Sequence, residues 1–264
     1  MERSGKGVRN HIACLVTLAG VVVSSSCSIK EDRTLCPCQL LFTISCTDKA
    51  MAEQAEVQIT SDAGFVWTDR VPLSDAEYSV SVPGTDLHMR AWAGYGEVDV
   101  GQGIMIPTGQ DCPRVYMHDS DIRPSGESFR TDVVLRKNHC VMTLLVVGDD
   151  RINAELRLKG NVAGYDAVGN PYPGEFDYIL DDDGLTPGYT AVLPRQTDAS
   201  MMLVIDDGTG NHREFALGRY IVASGYDWAS PDLGDVTVTL DYAQTEIRLV
   251  IEGWENIYRY DVEI

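Results

Sequence analysis

Clustered carboxylates are the first residues in this chain that could do chemistry, because hard cations such as Ca²⁺ bind several oxygen ligands at once. The run Asp181-Asp182-Asp183-Gly184 begins like a calcium loop. However, Leu185 stands where a third oxygen ligand belongs, and Val192 stands where a bidentate glutamate belongs. We therefore interpret this run as a solvated hairpin turn, together with the shorter acidic runs at 149–150 and 206–208. The sequence predicts no metal site.

Histidines and short motifs give no indication of an enzyme. The sequence has no GxSxG elbow, HExxH helix, GxGxxG turn or phosphate-binding P-loop. The histidines outside the first 26 residues are scattered, and we interpret each as a surface or strand-pairing residue: His88, His118, His139 and His212. We predict no catalytic residue, no cofactor and no small-molecule substrate.

Cysteine spacing favours a disulfide or simple burial over metal binding or redox chemistry. Cys36-Pro37-Cys38 is not a CxxC pair, and no second pair stands at zinc-ligand spacing. With Cys14 and Cys27 set aside, an odd number remains, so at least one thiol is unpaired. The pairing stays open among Cys36, Cys38, Cys46, Cys112 and Cys140.

Cys27 is the residue whose context points most directly to a chemical modification. It follows basic residues, the apolar stretch Ile12–Val23 and the small residues Ser24–Ser26, which is the order of a secretory signal peptide. The apolar stretch is too short to span a bilayer as a helix. Bacterial lipoproteins acylate a cysteine at this point, although Ser24 stands where they usually have a branched apolar residue. We predict that Cys27 carries palmitate; the alternative is an ordinary secreted protein.

Aromatic side chains are the remaining candidates for ligand binding. Trp92, Tyr95, Trp228 and Trp254 could stack on sugar rings if they were exposed. Tryptophan in a β-sandwich is more often part of the core. A surface glycan-binding protein is therefore an alternative function.

The charge of the chain excludes one class of partner. Its formal net charge is −19, whereas nucleic-acid binding requires lysine and arginine to displace counterions from phosphates. The same charge opposes adhesion to anionic lipid by electrostatics alone. It selects no partner by itself, because many soluble surface proteins are acidic.

The elements that must position these residues are strands. From Gln39 onward, apolar residues alternate with polar ones in short runs separated by glycine and proline, which predicts an all-β sandwich fold. Only Asp48–Ala55 could form a helical turn, residues 161–176 look like a long loop, and Glu214–Leu217 looks like a strand.

The polar segment 119–130 separates two series that contain similar numbers of strands, which suggests a repeated fold. We therefore predict a signal peptide at 1–26, a lipidated N-terminus and spacer at 27–37, and two β-sandwich domains at 38–125 and 126–264.

Several segments together resemble the FimB-type fimbrial anchor lipoproteins of the Bacteroides lineage. Lys30-Glu31-Asp32 resembles the tag that exports lipoproteins of that lineage to the outer face of the outer membrane. The other matching segments are the lipidated cysteine, the spacer SIKEDRTL with CPC entering the first strand, the apolar strand 140–147 and the closing segment 236–255.

This resemblance implies two tandem transthyretin-like β-sandwich domains and a surface-exposed lipoprotein at the base of a fimbrium. The implied partners are a fimbrillin stalk subunit and, through the lipid, the outer membrane. A polymerising stalk or tip fimbrillin of the same superfamily is the second alternative. In such subunits cleavage after Arg or Lys removes the first strand, and here Arg33, Lys49 and Arg70 are the candidate positions.

The last nine residues have the pattern of a strand with one buried side. Tyr258, Tyr260, Val262 and Ile264 fall on one face of residues 256–264. Such a strand could add to the sheet of a partner, with backbone hydrogen bonds giving affinity and alternate side chains filling pockets. We therefore predict that it is donated to the first fimbrillin; the alternative is an ordinary edge strand of the second domain.

Overall fold

A computed structural model gives the fold of the chain. It describes residues 37–47, 53–74, 76–94, 102–147, 154–181, 188–206, 208, 210, 212–241, 246–251 and 254–258, with the backbone alone at 147, 241, 246–251 and 254–258. Strands make up most of the described residues, and their regular structure is nearly all β with one short helix, so the predicted all-β fold class is confirmed.

Eight strands lie in the N-terminal half of the sequence, and all but the short β6 belong to one sheet: β1 (Cys38–Cys46), β2 (Gln54–Thr60), β3 (Val66–Pro72), β4 (Glu77–Val82), β5 (Leu87–Gly94), β6 (Ile104–Met105), β7 (Val115–Ile122) and β8 (Ser128–Lys137). The C-terminal half contains β9 (His139–Val147), β10 (Glu155–Tyr165), β11 (Pro171–Ile179), β12 (Gly188–Pro194), β13 (Met202–Asp206), β14 (His212–Phe215), α1 (Leu217–Ala223), β15 (Val236–Asp241), β16 (Glu246–Ile251) and β17 (Trp254–Tyr258).

The strand order of the first half recurs in the second. In the first half, β1 pairs antiparallel with β4 and parallel with β8, and the remaining order is β3-β2-β5-β7. In the second half, β9 pairs antiparallel with β12 and parallel with β15, and the remaining order is β11-β10-β13-β14. The repeated fold suggested by the similar numbers of strands is therefore present as a repeated order of strands in the sheets. The hairpin β16–β17 is added at the outer side of β15.

Two hydrophobic cores match the two halves. Alternate residues of β1, such as Leu40 and Phe42, pack with Val133 of β8 in the N-terminal core. The C-terminal core includes Leu144 and Val238, and it also takes Trp92 from β5. The two halves thus share packing at their junction, because a residue of β5 lies in the second core.

The predicted boundary at residues 125 and 126 lies one strand too early. Strand β8 pairs with β1, and its inward residues Val133 and Leu135 belong to the N-terminal core. After β8 the chain contributes only to the C-terminal core, which also takes Ile106, Cys112, Val115 and Met117 from before β8. The segment 119–130 looked like a linker because the outward residues of β7, including Asp119 and Asp121, are polar. The division into two domains remains a prediction.

The predicted long loop at 161–176 is wrong, because these residues form most of a hairpin. Strands β10 and β11 pair antiparallel from Arg157↔Ile179 to Tyr165↔Pro171, with register shifts on either side of Val162. The Oδ1 atom of Asp166 accepts hydrogen bonds from the backbone N–H groups of the turn. Bulges accommodate the glycines and prolines that made this segment look irregular.

Two further local predictions are wrong in part. The strand predicted at Glu214–Leu217 ends at Phe215, and Leu217 begins helix α1. The helical turn predicted at Asp48–Ala55 fails at its end, because β2 already begins at Gln54; its other residues lie outside the described ones except for position 53.

Candidate functional site

The first candidate element is β1, the first strand of the described fold. Its inward residues Leu40, Phe42 and Ile44 are at most 3% exposed. The strand lies between β4 and β8, so it is hydrogen-bonded along both sides. The sequence pattern that begins at Gln39 predicts this first strand, Gln39–Cys46, and the structure confirms it; the strand closes the N-terminal core of its own chain.

The C-terminal hairpin is the second candidate element. Strand β17 pairs with β16 from Ile251↔Trp254 to Ile247↔Tyr258 and lies at the end of the described strand order. Its outer side has no paired strand among the described residues. Of the proposed donor residues, Tyr258 ends β17, and Tyr260, Val262 and Ile264 lie outside the described residues.

A hydrogen-bonded junction links the two halves next to these elements. The Oδ1 atom of Asp232 accepts a hydrogen bond from Lys137 N–H at 2.9 Å, and its Oδ2 atom lies 3.1 Å from Arg136 Nη1. The Oγ1 hydroxyl of Thr47, just after β1, also donates to Asp232 Oδ1 at 3.2 Å. The segment that precedes β15 is thereby tied to the ends of β1 and β8.

Asn138 and Arg195 form the centre of this junction. The Nε atom of Arg195 donates to Asn138 Oδ1 at 2.5 Å, and its Nη1 atom donates to the carbonyls of Trp228 and Ser230. The buried hydroxyl of Tyr165 donates to the carbonyl of Asn138 and accepts from the N–H of Arg195. Because burial removes water from the guanidinium, the pKa of Arg195 lies below its usual value.

His139 is buried at the same junction and is neutral at physiological pH. Burial is the main cause that lowers its pKa from 6.5 to about 4. Its Nδ1 atom accepts a hydrogen bond from the backbone N–H of Val115 at 3.0 Å, and its ring meets Tyr116 edge-on. The residue therefore has a packing role and no contact that would make it a catalytic base.

The other histidines are surface or strand-pairing residues, as the sequence predicted: His88 and His118 contact neighbouring strands, and His212 is exposed and contacts Glu214 of its own strand. His88 on β5 contacts the carboxylates of Asp119 and Asp121 on β7, each at 2.7 Å. His118 lies within 3.2 Å of the carbonyl of Val134 on β8. Within the described ranges, no group of three or more histidine, cysteine or acidic side chains is arranged to hold a metal ion.

The acidic turns follow the prediction where they are described. Strands β13 and β14 pair antiparallel across residues 207–211, and the N–H of Gly208 donates to Asp206 Oδ1 at 2.8 Å. The run at 206–208 is thus part of a hairpin turn. Asp181 is exposed, and residues 182–187 and 149–150 lie outside the described residues.

The cysteines within the described residues are buried. Cys38, Cys112 and Cys140 are each at most 1% exposed and have free thiols, and Cys46 is 7% exposed. Burial raises the pKa of Cys140 to about 12 and raises that of Cys112 further. Such thiols are unreactive, because the thiolate is the nucleophile. Cys27 and Cys36 lie outside the described residues.

The candidate sugar-stacking residues that are described lie in the core. Trp92 is 3% exposed and Trp228 is 8% exposed, with Trp228 packed edge-on against Tyr226 at a ring distance of 4.7 Å. Tyr95 and the side chain of Trp254 lie outside what the structure describes. The two buried tryptophans cannot serve as open stacking platforms.

A groove of about 500 Å³ lies beside Trp228, between segments 195–199 and 226–229 and the exposed Val222. Two polar atoms in its walls have no hydrogen-bond partner in the protein, Gln196 Oε1 and Trp228 Nε1. Both atoms are closed to solvent, so a ligand in the groove would reach neither without a movement of the walls. We assign this groove no ligand.

The functionally suggestive contacts at the junction were not predicted. Asn138, Arg195 and Asp232 are far apart in the sequence, and none of them stands in a recognisable motif. Only the polar Asn138 between two apolar strands could have indicated the junction from the sequence, because a buried polar side chain must satisfy its hydrogen bonds.

Among the described residues, no helix is long and apolar enough to cross a membrane.

Comparison with known proteins identifies the fold. No protein-family model matches the chain, and no curated protein sequence matches it. Solved structures do match. The fimbrial anchor protein Mfa2 of Porphyromonas gingivalis has a TM-score of 0.60 at 14% identity, over 85% of this chain and 100% of that one.

Two further structures have the same fold. A Bacteroides thetaiotaomicron protein proposed to bind polysaccharide has a TM-score of 0.64 at 11% identity, over 84% of this chain and 98% of that one. The tip fimbrial protein Mfa3 of P. gingivalis, truncated at its C-terminus, has a TM-score of 0.51 at 13% identity, over 83% and 100%. The resemblance to fimbrial proteins drawn from the sequence is therefore confirmed at the level of the fold. Fimbrial proteins and a proposed polysaccharide-binding protein are thus among the solved structures that share this fold.

Proposed function

We propose that this chain is a cell-surface component of a fimbrium and that it acts as the anchor at the base. A lipid on Cys27 fixes it to the outer membrane, and its C-terminal segment is donated to the first stalk subunit. The observation that carries the proposal is the position of β1, a strand with a buried inner face that is hydrogen-bonded to neighbours on both sides. An anchor must keep the strand that joins its fold to its lipid.

The polymerising alternative makes the opposite demand on β1. A stalk subunit has to lose its first strand so that a groove opens for the next subunit. Removal of β1 here would leave Val133 and Leu135 of β8 without their partner strand and expose the N-terminal core. Arg70, one candidate cleavage position, lies within β3, so cleavage there would also remove β2.

The glycan-binding alternative loses support from the burial of Trp92 and Trp228. It would need a platform elsewhere, because a sugar ring stacks only on an exposed aromatic face.

The donor segment can be tested by a pair of truncations placed by the structure. A chain that ends after Tyr258 keeps β17, whereas one that ends before Trp254 loses it. Donation predicts that the first truncation leaves a folded protein in the membrane and releases fimbriae into the medium. If fimbriae stay attached, residues 259–264 are not the donor. The second truncation is the control that shows how far β17 itself supports the fold.

The lipid can be tested by Cys27→Ala, with Cys36→Ala as the matched control. A bacterial lipoprotein anchor carries several acyl chains, which together hold a protein stably on a membrane, whereas one chain is marginal. We expect Cys27→Ala alone to abolish palmitate labelling and to move the protein to the soluble fraction. Equal membrane retention and labelling of the two variants would refute the tether.

A further inference from the structure

The first and last strands of the N-terminal half are parallel neighbours, and this arrangement has a mechanical consequence. The half begins with β1 and ends with β8, and the two strands pair from Gln39↔Ser128 to Cys46↔Leu135. The chain therefore enters the pair at one end and leaves it at the other. Tension along the chain pulls β1 and β8 in opposite directions along their length.

In this geometry the hydrogen bonds between the strands are loaded together. The odd-numbered residues of β1 turn their backbone N–H and C=O groups toward β8. At the start of the pair, Gln39 N–H donates to the carbonyl of Glu127 at 2.9 Å, and just past its end Thr47 N–H donates to that of Leu135 at 3.4 Å. Because β-strand backbone groups alternate sides, the residues between them follow the same pattern. A pair pulled sideways from one end would instead open one bond at a time.

Side chains oppose sliding as well. A shift of one residue would turn every side chain of β1 to the opposite face and move Leu40, Phe42 and Ile44 out of the core. Thr43 Oγ1 also donates to Asp132 Oδ1 on β8 at 2.6 Å, directly across the pair. Side chains therefore fix the register of β1 against β8, in addition to the backbone hydrogen bonds.

We propose that the β1–β8 pair is a shear clamp, a force-bearing element that resists tension applied through the N-terminus. The C-terminal half repeats the arrangement, since β9 and β15 are parallel from Met142↔Val236 to Val147↔Asp241. The junction at Asn138 passes tension directly from the end of β8 to the start of β9. This inference deepens the proposed function, because an anchor carries the load on its fimbrium, but the clamp itself is a property of the isolated chain.

Single-molecule pulling of the unlipidated mature chain tests the clamp in two directions. Handles at the N-terminus and C-terminus load β1 and β8 in shear. Handles at residue 37 and at Gly84 lie at the same end of β1 and β4, because Cys38 pairs with Val82, and so peel those strands apart. We expect loss of the N-terminal half, which frees roughly 350 Å of chain, to need a several-fold higher force end to end than the first event in the peeling direction. Equal forces would overturn the clamp.

Two matched variants separate the clamp from general stability. Thr43→Ala removes a side-chain bond between β1 and β8, whereas Ser79→Ala removes the bond that Gln39 Nε2 donates to Ser79 Oγ between β1 and β4. Thr43→Ala should lower the force only end to end, and Ser79→Ala should lower it only in the peeling direction. If each variant weakens both directions alike, the load is not carried by β1 and β8. Neither outcome depends on whether the chain anchors a fimbrium.

Discussion

The backbone N–H of Lys137 donates a hydrogen bond to Oδ1 of Asp232 at 2.9 Å. This bond ties the last residue of β8 to the segment that leads into β15, across 95 positions of sequence. The same carboxylate reaches Arg136 and Thr47, so one side chain connects the ends of β1 and β8 to the second half.

Asp232→Ala should lower the free energy of unfolding by about 1–3 kcal/mol, since it leaves the Lys137 N–H without its acceptor. Asp232→Asn keeps an acceptor at that position and should cost less, because the partly exposed ion pair with Arg136 contributes little. Urea unfolding of the two variants measures the difference. If both variants lose the same free energy of unfolding, the charge of Asp232 and not its hydrogen bond to Lys137 stabilises the fold. If neither variant loses any, this contact does not stabilise the junction.

The folded chain should become less stable as the pH is lowered, because of His139. Its pKa is about 4 in the folded chain and about 6.5 in the unfolded chain. Between pH 6.5 and pH 4, His139 is protonated in the unfolded chain but not in the folded chain. The free energy of unfolding therefore decreases as the pH is lowered, by about 3 kcal/mol in total.

His139→Gln provides the control for this effect, since glutamine can accept the Val115 hydrogen bond and does not titrate. Burial also lowers the pKa of His118, which adds a slope of the same sign. The slope of unfolding free energy against pH should therefore be smaller in the variant than in the wild type over this window. Identical slopes would show that His139 does not titrate abnormally.

Phe42→Ala should destabilise the fold by about 3–5 kcal/mol, as expected for a fully buried phenylalanine. Phe42 is 0% exposed and stacks on Tyr78 at a ring distance of 5.5 Å. Ser45→Ala, on the exposed face of the same strand, should change stability by less than about 0.5 kcal/mol. Thermal or urea unfolding compares the two, and a similar cost at both positions would contradict the register of β1.

Strands were predictable from the sequence wherever one face is buried, because burial of alternate residues leaves a period of two. This holds for β1, whose inward residues are apolar. It fails for β11, because Pro173 and its neighbours lie on an exposed, bulged strand with no apolar alternation. Helix α1 escaped prediction for a different reason. Its Ala216 N-cap makes no side-chain capping bond, its first turn has no acidic residue, and its last turn has no basic residue.

The junction could not be predicted from the sequence, because its contacts join residues from distant segments. The Arg195–Asn138 bond depends on how β9 and β12 pair, which brings Pro194 opposite His139. Local patterns indicate strands but not which strands become neighbours. The topological repeat was visible only as two similar numbers of strands, since it is carried by strand order and not by matching residues.

The N-terminus of the mature protein tests the anchor assignment most directly. Intact-mass and N-terminal peptide analysis of the protein purified from fimbriated cells would show whether β1 is retained. An anchor predicts a chain that begins at an acylated Cys27 and contains the whole of β1. A chain that begins at Ala50 or Val71 would have lost β1 through cleavage after Lys49 or Arg70, and would contradict the account.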